Sequence, residues 1–257
     1  MNRLDTAKVV VAIVAFALLG ACAKAGIRFN RSAALADASE PVQQHPARPV
    51  ARLLVVGDST AVGAGAIDAR ASIAGRIAQV HPGVEIVNLG ANGARLSDVL
   101  EQIRASGADP FDVVLVQAGG NDVIRLASAG RLAEEWGAVA RAAAERSPQV
   151  ILMPAGNVGT APFFFAPVSW LMTARARTAR QIAAAAARET GAVFVDLFHE
   201  PEEDPFLRDP GRFYAPDFLH PSDAGYGLWY DALEVQSGLA GKLDARRSSG
   251  PRAAAGG

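Results

Sequence analysis

Arg52-Leu53-Leu54-Val55-Val56-Gly57-Asp58-Ser59 is the stretch on which the reading of this chain turns. Its aliphatic run does not alternate with polar residues, so it describes a strand buried on both faces. Gly57 then permits a tight turn into polar residues. Working outward, the same pattern recurs. Val84–Leu89, Asp112–Gln117, Val150–Met153 and Ala192–Asp196 read as four further strands. Helical periodicity falls near Ala69–Val80, Leu96–Ala105, Ala129–Arg146, Ser169–Glu189 and Ser222–Leu233. Strands alternating with helices predict an α/β domain: a five-stranded parallel sheet with helices on both faces, a three-layer α/β/α sandwich.

Sheets of this kind bind ligands at the carboxyl ends of their strands. Glycine-rich polar clusters follow three strands directly: Gly57-Asp58-Ser59, Gly90-Ala91-Asn92-Gly93 and Gly119-Gly120-Asn121. Three loops therefore converge on one edge of the sheet. Ser59 has the placement of an exposed nucleophile at a strand-to-helix turn, although a serine there also serves as a helix cap. The Gly-x-Ser-x-Gly pentapeptide is missing, because Ala61 stands two residues after Ser59.

A serine hydroxyl needs a base. His81 lies in a turn at the opposite edge, and His45 lies in a polar stretch before the first strand. His199 follows the fifth strand at the correct edge and competes for the role. His220 has Asp217 three residues before it, close enough for the carboxylate to orient one ring nitrogen and leave the other for Ser59. Backbone N–H groups near Gly93 and the amide of Asn121 are suitable donors to an oxyanion, though both also suit plain turns.

Four blocks together resemble the SGNH/GDSL hydrolases: Gly57-Asp58-Ser59, Asn88-Leu89-Gly90-Ala91-Asn92-Gly93, Gly119-Gly120-Asn121-Asp122 and Asp217-Phe218-Leu219-His220. The resemblance covers roughly Arg52 to Leu233. It implies a flavodoxin-like fold, Ser59 as nucleophile, His220 as base and Asp217 as its orienting acid. It also implies an oxyanion hole formed by the Ser59 and Gly93 amides with the Asn121 side chain. Thr60 stands where the family name has leucine, and Asn92 where a serine is frequent, which keeps Gly90 as a rival donor to Gly93. Asp58 and Asp122 are read as loop-holding residues.

The rest of the chain of 257 residues sets limits. Half of it is hydrophobic and its formal net charge is −1, so a sizeable core is affordable and no basic footprint marks a nucleic-acid binder. Arg175, Arg177 and Arg180 read as a solvated helix face. Cys22 is the only cysteine and the histidines lack metal-ligand spacing, so neither a disulfide, a metal nor another cofactor is expected. Gly63-x-Gly65 lacks the third glycine of a dinucleotide-binding turn.

Arg3 and Lys8 precede an apolar run, Val9–Leu19, of signal-peptide length, short of the ~20 residues of a membrane span. Leu19-Gly20-Ala21-Cys22 resembles a bacterial lipobox, which implies lipidation at Cys22, the alternative being an uncleaved anchor. Residues 1–22 are thus expected as a leader, 23–50 as a polar tether, 51–240 as the hydrolase domain and 241–257 as a tail. The expected place is the bacterial cell envelope, tethered to the membrane and facing the periplasm.

The reaction expected is ester hydrolysis by a short-chain carboxylesterase or lysophospholipase. Envelope polysaccharide O-deacetylation is the alternative, and a non-catalytic envelope-binding lipoprotein is the rival of another class. Pro162-Phe163-Phe164-Phe165-Ala166-Pro167 is expected to form an acyl-pocket floor, a lid or a core segment.

Overall fold

Strand β1 (Ala51–Gly57) hydrogen-bonds in parallel to β2 (Val84–Asn88) on one side and β3 (Val113–Ala118) on the other, in the computed structural model, which describes residues 26–244. Leu53 is paired with Ile86 and with Val113. β4 (Val150–Pro154) and the short β5 (Val193–Phe194) extend the sheet in the order β2-β1-β3-β4-β5, all parallel. This is the flavodoxin-like order, whose switch point lies between β1 and β3.

The absence of alternation in β1 has the expected cause. Leu54 and Val56 point into one core with Val114, Val116, Val99 and Trp136, whereas Leu53 and Val55 point into a second with Ile77, Leu115, Tyr226 and Leu233. Helices α4 (Leu96–Ala105), α6 (Ala129–Arg146) and α7 (Val168–Thr190) cover the first face. The second is covered by α3 (Ile73–Val80), α10 (Asp223–Ser237) and α11 (Leu239–Asp244). Short helices α2 (Ser59–Val62), α5 (Gly120–Ile124), α8 (Pro205–Arg208) and α9 (Pro210–Phe213) sit in the connections.

Several expectations change. The helix expected from Ala69 is broken at Ser72, which closes a 3-10 turn and caps α3 by accepting the Gly75 N–H at 3.1 Å. β5 stops at Phe194, because Asp196 turns away to pair with Arg180 while Gln236 accepts its N–H. Arg177 and Arg180 keep the expected solvated face, pairing in solvent with Glu200 and Asp196, whereas Arg175 turns inward and donates to the carbonyls of Val123 and Ala127. The domain runs past residue 240, since Leu239 and Leu243 of α11 are fully buried.

The stretch expected as a tether is docked over its described part. Residues 26–37 form helix α1 against the domain, with Arg28, Ser32, Leu35 and Ala36 on its less exposed side. Gln44 then forms an antiparallel bridge with Ile86, and the Gln43 amide both donates to Asn88 O and accepts its N–H. β2 is an edge strand with unpaired backbone groups, and two glutamines satisfy them. The leader with Cys22, and the chain beyond Asp244, lie outside the described residues.

Gly57 adopts φ +150°, and a Cβ there would lie 1.9 Å from the Gln117 carbonyl oxygen. Gly57→Ala is therefore expected to destabilise the fold by about 3 kcal/mol or more, read as a lowered urea midpoint. Asp122 is buried in α5, accepting the Leu96 N–H at the start of α4 at 3.2 Å. Burial pushes its pKa up to about 6, against the Leu96 hydrogen bond and with help from the charge of Glu135. The folded state then holds the proton more tightly than the unfolded chain, so stability is lost as pH rises from about 4 through 6. Asp122→Asn should leave stability near pH 4 unchanged and raise it by on the order of 2 kcal/mol at pH 7.5, measured by urea unfolding at both values.

Candidate active site

The turn after β1 is fixed from three sides. Asp58 N donates to Gln117 O at 3.0 Å, and the Asp58 carboxylate caps α2 by accepting from Thr60 N and Thr60 Oγ1 at 2.9 and 2.8 Å. The Gln102 amide brackets Gly57, accepting its N–H and donating to its carbonyl. Ser59 thereby begins α2 at the carboxyl edge of the central strands, buried but for 9% of its surface. Burial raises the pKa of Asp58, although hydrogen bonds from Thr60 and Gly120 oppose it. An acid in this position is a structural cap.

The loops after β2 and β3 are tied to that turn. Asn88 donates to Ala61 O at 2.8 Å and accepts Gly90 N–H at 3.0 Å. The Gly90 N–H is therefore spent on Asn88, and a Cβ at Gly90 would meet that of Ala61 at 2.9 Å. Gly93, at φ +76°, lies instead on the cavity wall beside Ser59. Asn121 donates one amide N–H to Ala94 O at 3.1 Å, which leaves its second N–H for the cavity.

The histidine arrives on a loop closed by its own backbone. Ala215 N donates to His220 O and Phe218 N to Ala215 O, both at 2.9 Å, and Phe218 takes the left-handed conformation at φ +61°. Asp217 is fully buried; its Oδ1 accepts the N–H groups of Leu219 and His220, and its Oδ2 lies 2.6 Å from His220 Nδ1. Burial acts to raise the pKa of Asp217, but the hydrogen bond and charge of His220, with the two backbone donors, hold it below the usual carboxylate value. An ionised carboxylate only accepts, so Nδ1 carries the proton and Nε2 is left as an acceptor. Nε2 lies 2.9 Å from Ser59 Oγ.

Ser59, Asp217 and His220 thus meet, with Gly93 and Asn121 on the same cavity. His199 does not join them: it lies exposed on the cavity wall, and its carbonyl accepts from Asn157. His81 is at the opposite edge, following α3.

The cavity measures about 500 Å³. Its walls include Ile124, Val158, Phe206, Tyr214 and Trp229, with Phe29, Ala33 and Ala36 of α1. Phe206 packs against the rings of Tyr214 and Trp229 at 5.1 and 5.8 Å. The expected aromatic stretch is not part of this wall. Phe164 packs against the core, and Phe163 N donates to Phe218 O, supporting the Asp217–His220 loop from behind. Sequence reading also missed Asn157, Thr160 and Asp204, where Thr160 Oγ1 donates to Asp204 at 2.6 Å. Asn157 carried a usable signal, since Gly156-Asn157 follows β4 as Gly120-Asn121 follows β3.

Comparison with known proteins bears on the fold and the family. Among solved structures, LAE5, an alpha/beta hydrolase enzyme from the metagenome of Lake Arreo, is similar at 20% identity and a TM-score of 0.57, covering 74% of this chain and 96% of that one. TesA is similar at 20% identity and a TM-score of 0.56, with 72% and 97% covered. A variant of Axe2, an acetyl xylan esterase from Geobacillus stearothermophilus, is similar at 23% and 0.51, with 74% and 96% covered. At these identities the likeness is one of fold. No curated protein sequence matches the chain. The family model described as GDSL-like lipase/acylhydrolase matches residues 55–228, from the strand that delivers Ser59 to the helix that follows His220. This chain therefore belongs to the GDSL-like lipase/acylhydrolase family and is, by that membership, a serine ester hydrolase.

Proposed function

We propose that Ser59 is the nucleophile of a two-step acyl transfer, with His220 as its base and Asp217 as the acid that orients the ring. The observation that carries this reading is the unbroken chain of contacts from Asp217 Oδ2 through His220 to Ser59 Oγ. As Oγ attacks the ester carbonyl, its proton passes to Nε2. The negative charge on the former carbonyl oxygen is held by the Ser59 and Gly93 N–H groups and the second N–H of Asn121. Collapse expels the alcohol, which takes the proton from His220. Water then attacks the acyl-enzyme, giving its proton to Nε2, and the acid leaves as Ser59 is restored.

The substrate we propose is a carboxylic ester of short acyl chain, or a lysophospholipid. Phe206, Trp229 and Val158 offer an apolar wall beside Ser59 in support. An O-acetylated envelope polysaccharide is the second reading, favoured by the exposed polar side chain of His199 on the same cavity. The apolar leader and Cys22 support export and tethering to the membrane of the cell envelope.

Ser59→Ala should abolish both p-nitrophenyl butyrate hydrolysis and fluorophosphonate labelling, a loss on the order of 10⁴-fold or more. Asn121→Ala should cost about 10²–10³-fold in kcat with labelling retained. Turnover surviving in Ser59→Ala would refute the assignment, and an unlabelled native chain would favour a binding protein. A profile of p-nitrophenyl acyl esters against acetylated xylan separates the two substrates. Activity on xylan alone overturns the first reading.

A further inference from the structure

We propose that an apolar rim beside the cavity, built from α1 and the start of α7, docks on a lipid bilayer and turns the cavity mouth toward it. This rests on the tether proposed above.

The rim is assembled from two distant pieces of sequence. Phe29, Ala33 and Ala36 of α1 lie on the cavity wall, while Ile27 and Phe29 remain 54% and 67% exposed. Arg28, between them, clamps α1 in place. Its guanidinium stacks over Phe165 at 4.5 Å and Phe218 at 5.3 Å and donates to the Pro162 carbonyl. Phe165 is itself exposed, and its carbonyl accepts the Ser169 N–H, leading into the first turn of α7. There Val168, Trp170 and Leu171 are exposed, Trp170 at 71%.

Six of the eleven large exposed apolar side chains among the described residues thus fall on these two joined segments. The others, such as Ile67, Val80 and Val235, lie elsewhere as single residues. A lone exposed aliphatic needs no explanation, but a grouped set that reaches the cavity wall through Phe29 marks a surface that meets something.

The occupant is indicated by the chain itself. Cys22 stands four residues before residue 26, so a fully extended link spans at most about 14 Å. A lipid on Cys22, or an anchor ending there, holds α1 against the bilayer surface. The anchor sets proximity to the bilayer, and an apolar contact on the domain sets which of its faces meets the lipid. Trp170 is of the kind that settles at the level of the headgroups, and Phe29 and Phe165 are of the kind that enters the acyl boundary below them. A substrate leaving the bilayer would then reach Ser59 without crossing open solvent.

The test uses the full chain in phosphatidylethanolamine–phosphatidylglycerol vesicles, with and without brominated acyl chains. Trp136 is sealed in the core and Trp229 lies on the cavity wall, so Trp170 reports on the rim. Brominated lipid should quench the native protein, and Trp170→Phe should lose that quenching while still floating with the vesicles. A chain that floats with equal quenching in native and Trp170→Phe forms overturns the rim alone. So does a chain that floats as a cross-linkable dimer with Trp170 shielded from bromine. A chain that fails to float overturns the tether and the rim together, leaving the Ser59 chemistry untouched.

Discussion

Strand β1 is bonded along both edges and packed on both faces, and it can leave the sheet only through a residue without a side chain. The Gln117 carbonyl occupies the place where a Cβ on Gly57 would be. That close approach draws the ends of β1 and β3 together at the switch point of the sheet. Asp58 N donates to the same carbonyl. The position of Ser59 is thus inherited from a backbone contact between two central strands whose aliphatic residues are buried. The loops then fasten to it through Asn88 and Asn121.

Asp217, Asp58 and Asp122, three of the buried carboxylates near that edge, divide into two kinds. Asp217 receives two backbone donors and a ring N–H, and stays ionised in spite of its burial. Asp58 has as many donors, from Thr60 and Gly120, and Asp122 has the Leu96 N–H, but neither is hydrogen-bonded to an imidazole, and burial dominates both. Their environments, and not their residue type, separate the acid that stabilises an imidazolium from the two that hold loops. The same sorting separates His220 from His199: both stand at the active edge, but only His220 has a buried carboxylate behind it.

The parts legible in the sequence were those governed by local pattern. Buried strands, amphipathic helices and glycines after strands all depend on short-range sequence, and α4 and α6 lie where periodicity put them. What escaped depends on contacts across the chain. β5 is cut short by Arg180 and Gln236, the Gln102 bracket spans 45 positions, and the cavity wall draws Phe206 and Trp229 from beyond β5. The phenylalanine run, whose Phe164 takes the core alternative, stayed undecided for a related reason. Its composition suits a pocket and a core equally, and only packing decides between them.

The two glutamines on β2 alter what counts as the domain. The aperiodic stretch before Val50 gives a natural place to trim the chain, yet Gln43 and Gln44 seal the outer edge of the sheet. A fragment beginning at Val50 would keep Ser59, Asn121, Asp217 and His220, lose the α1 part of the cavity wall, and present a bare strand to its neighbours, the condition under which sheets join edge to edge. The folding unit and the reacting unit are therefore different in extent. The segment that looks like a leash is also the hem of the sheet.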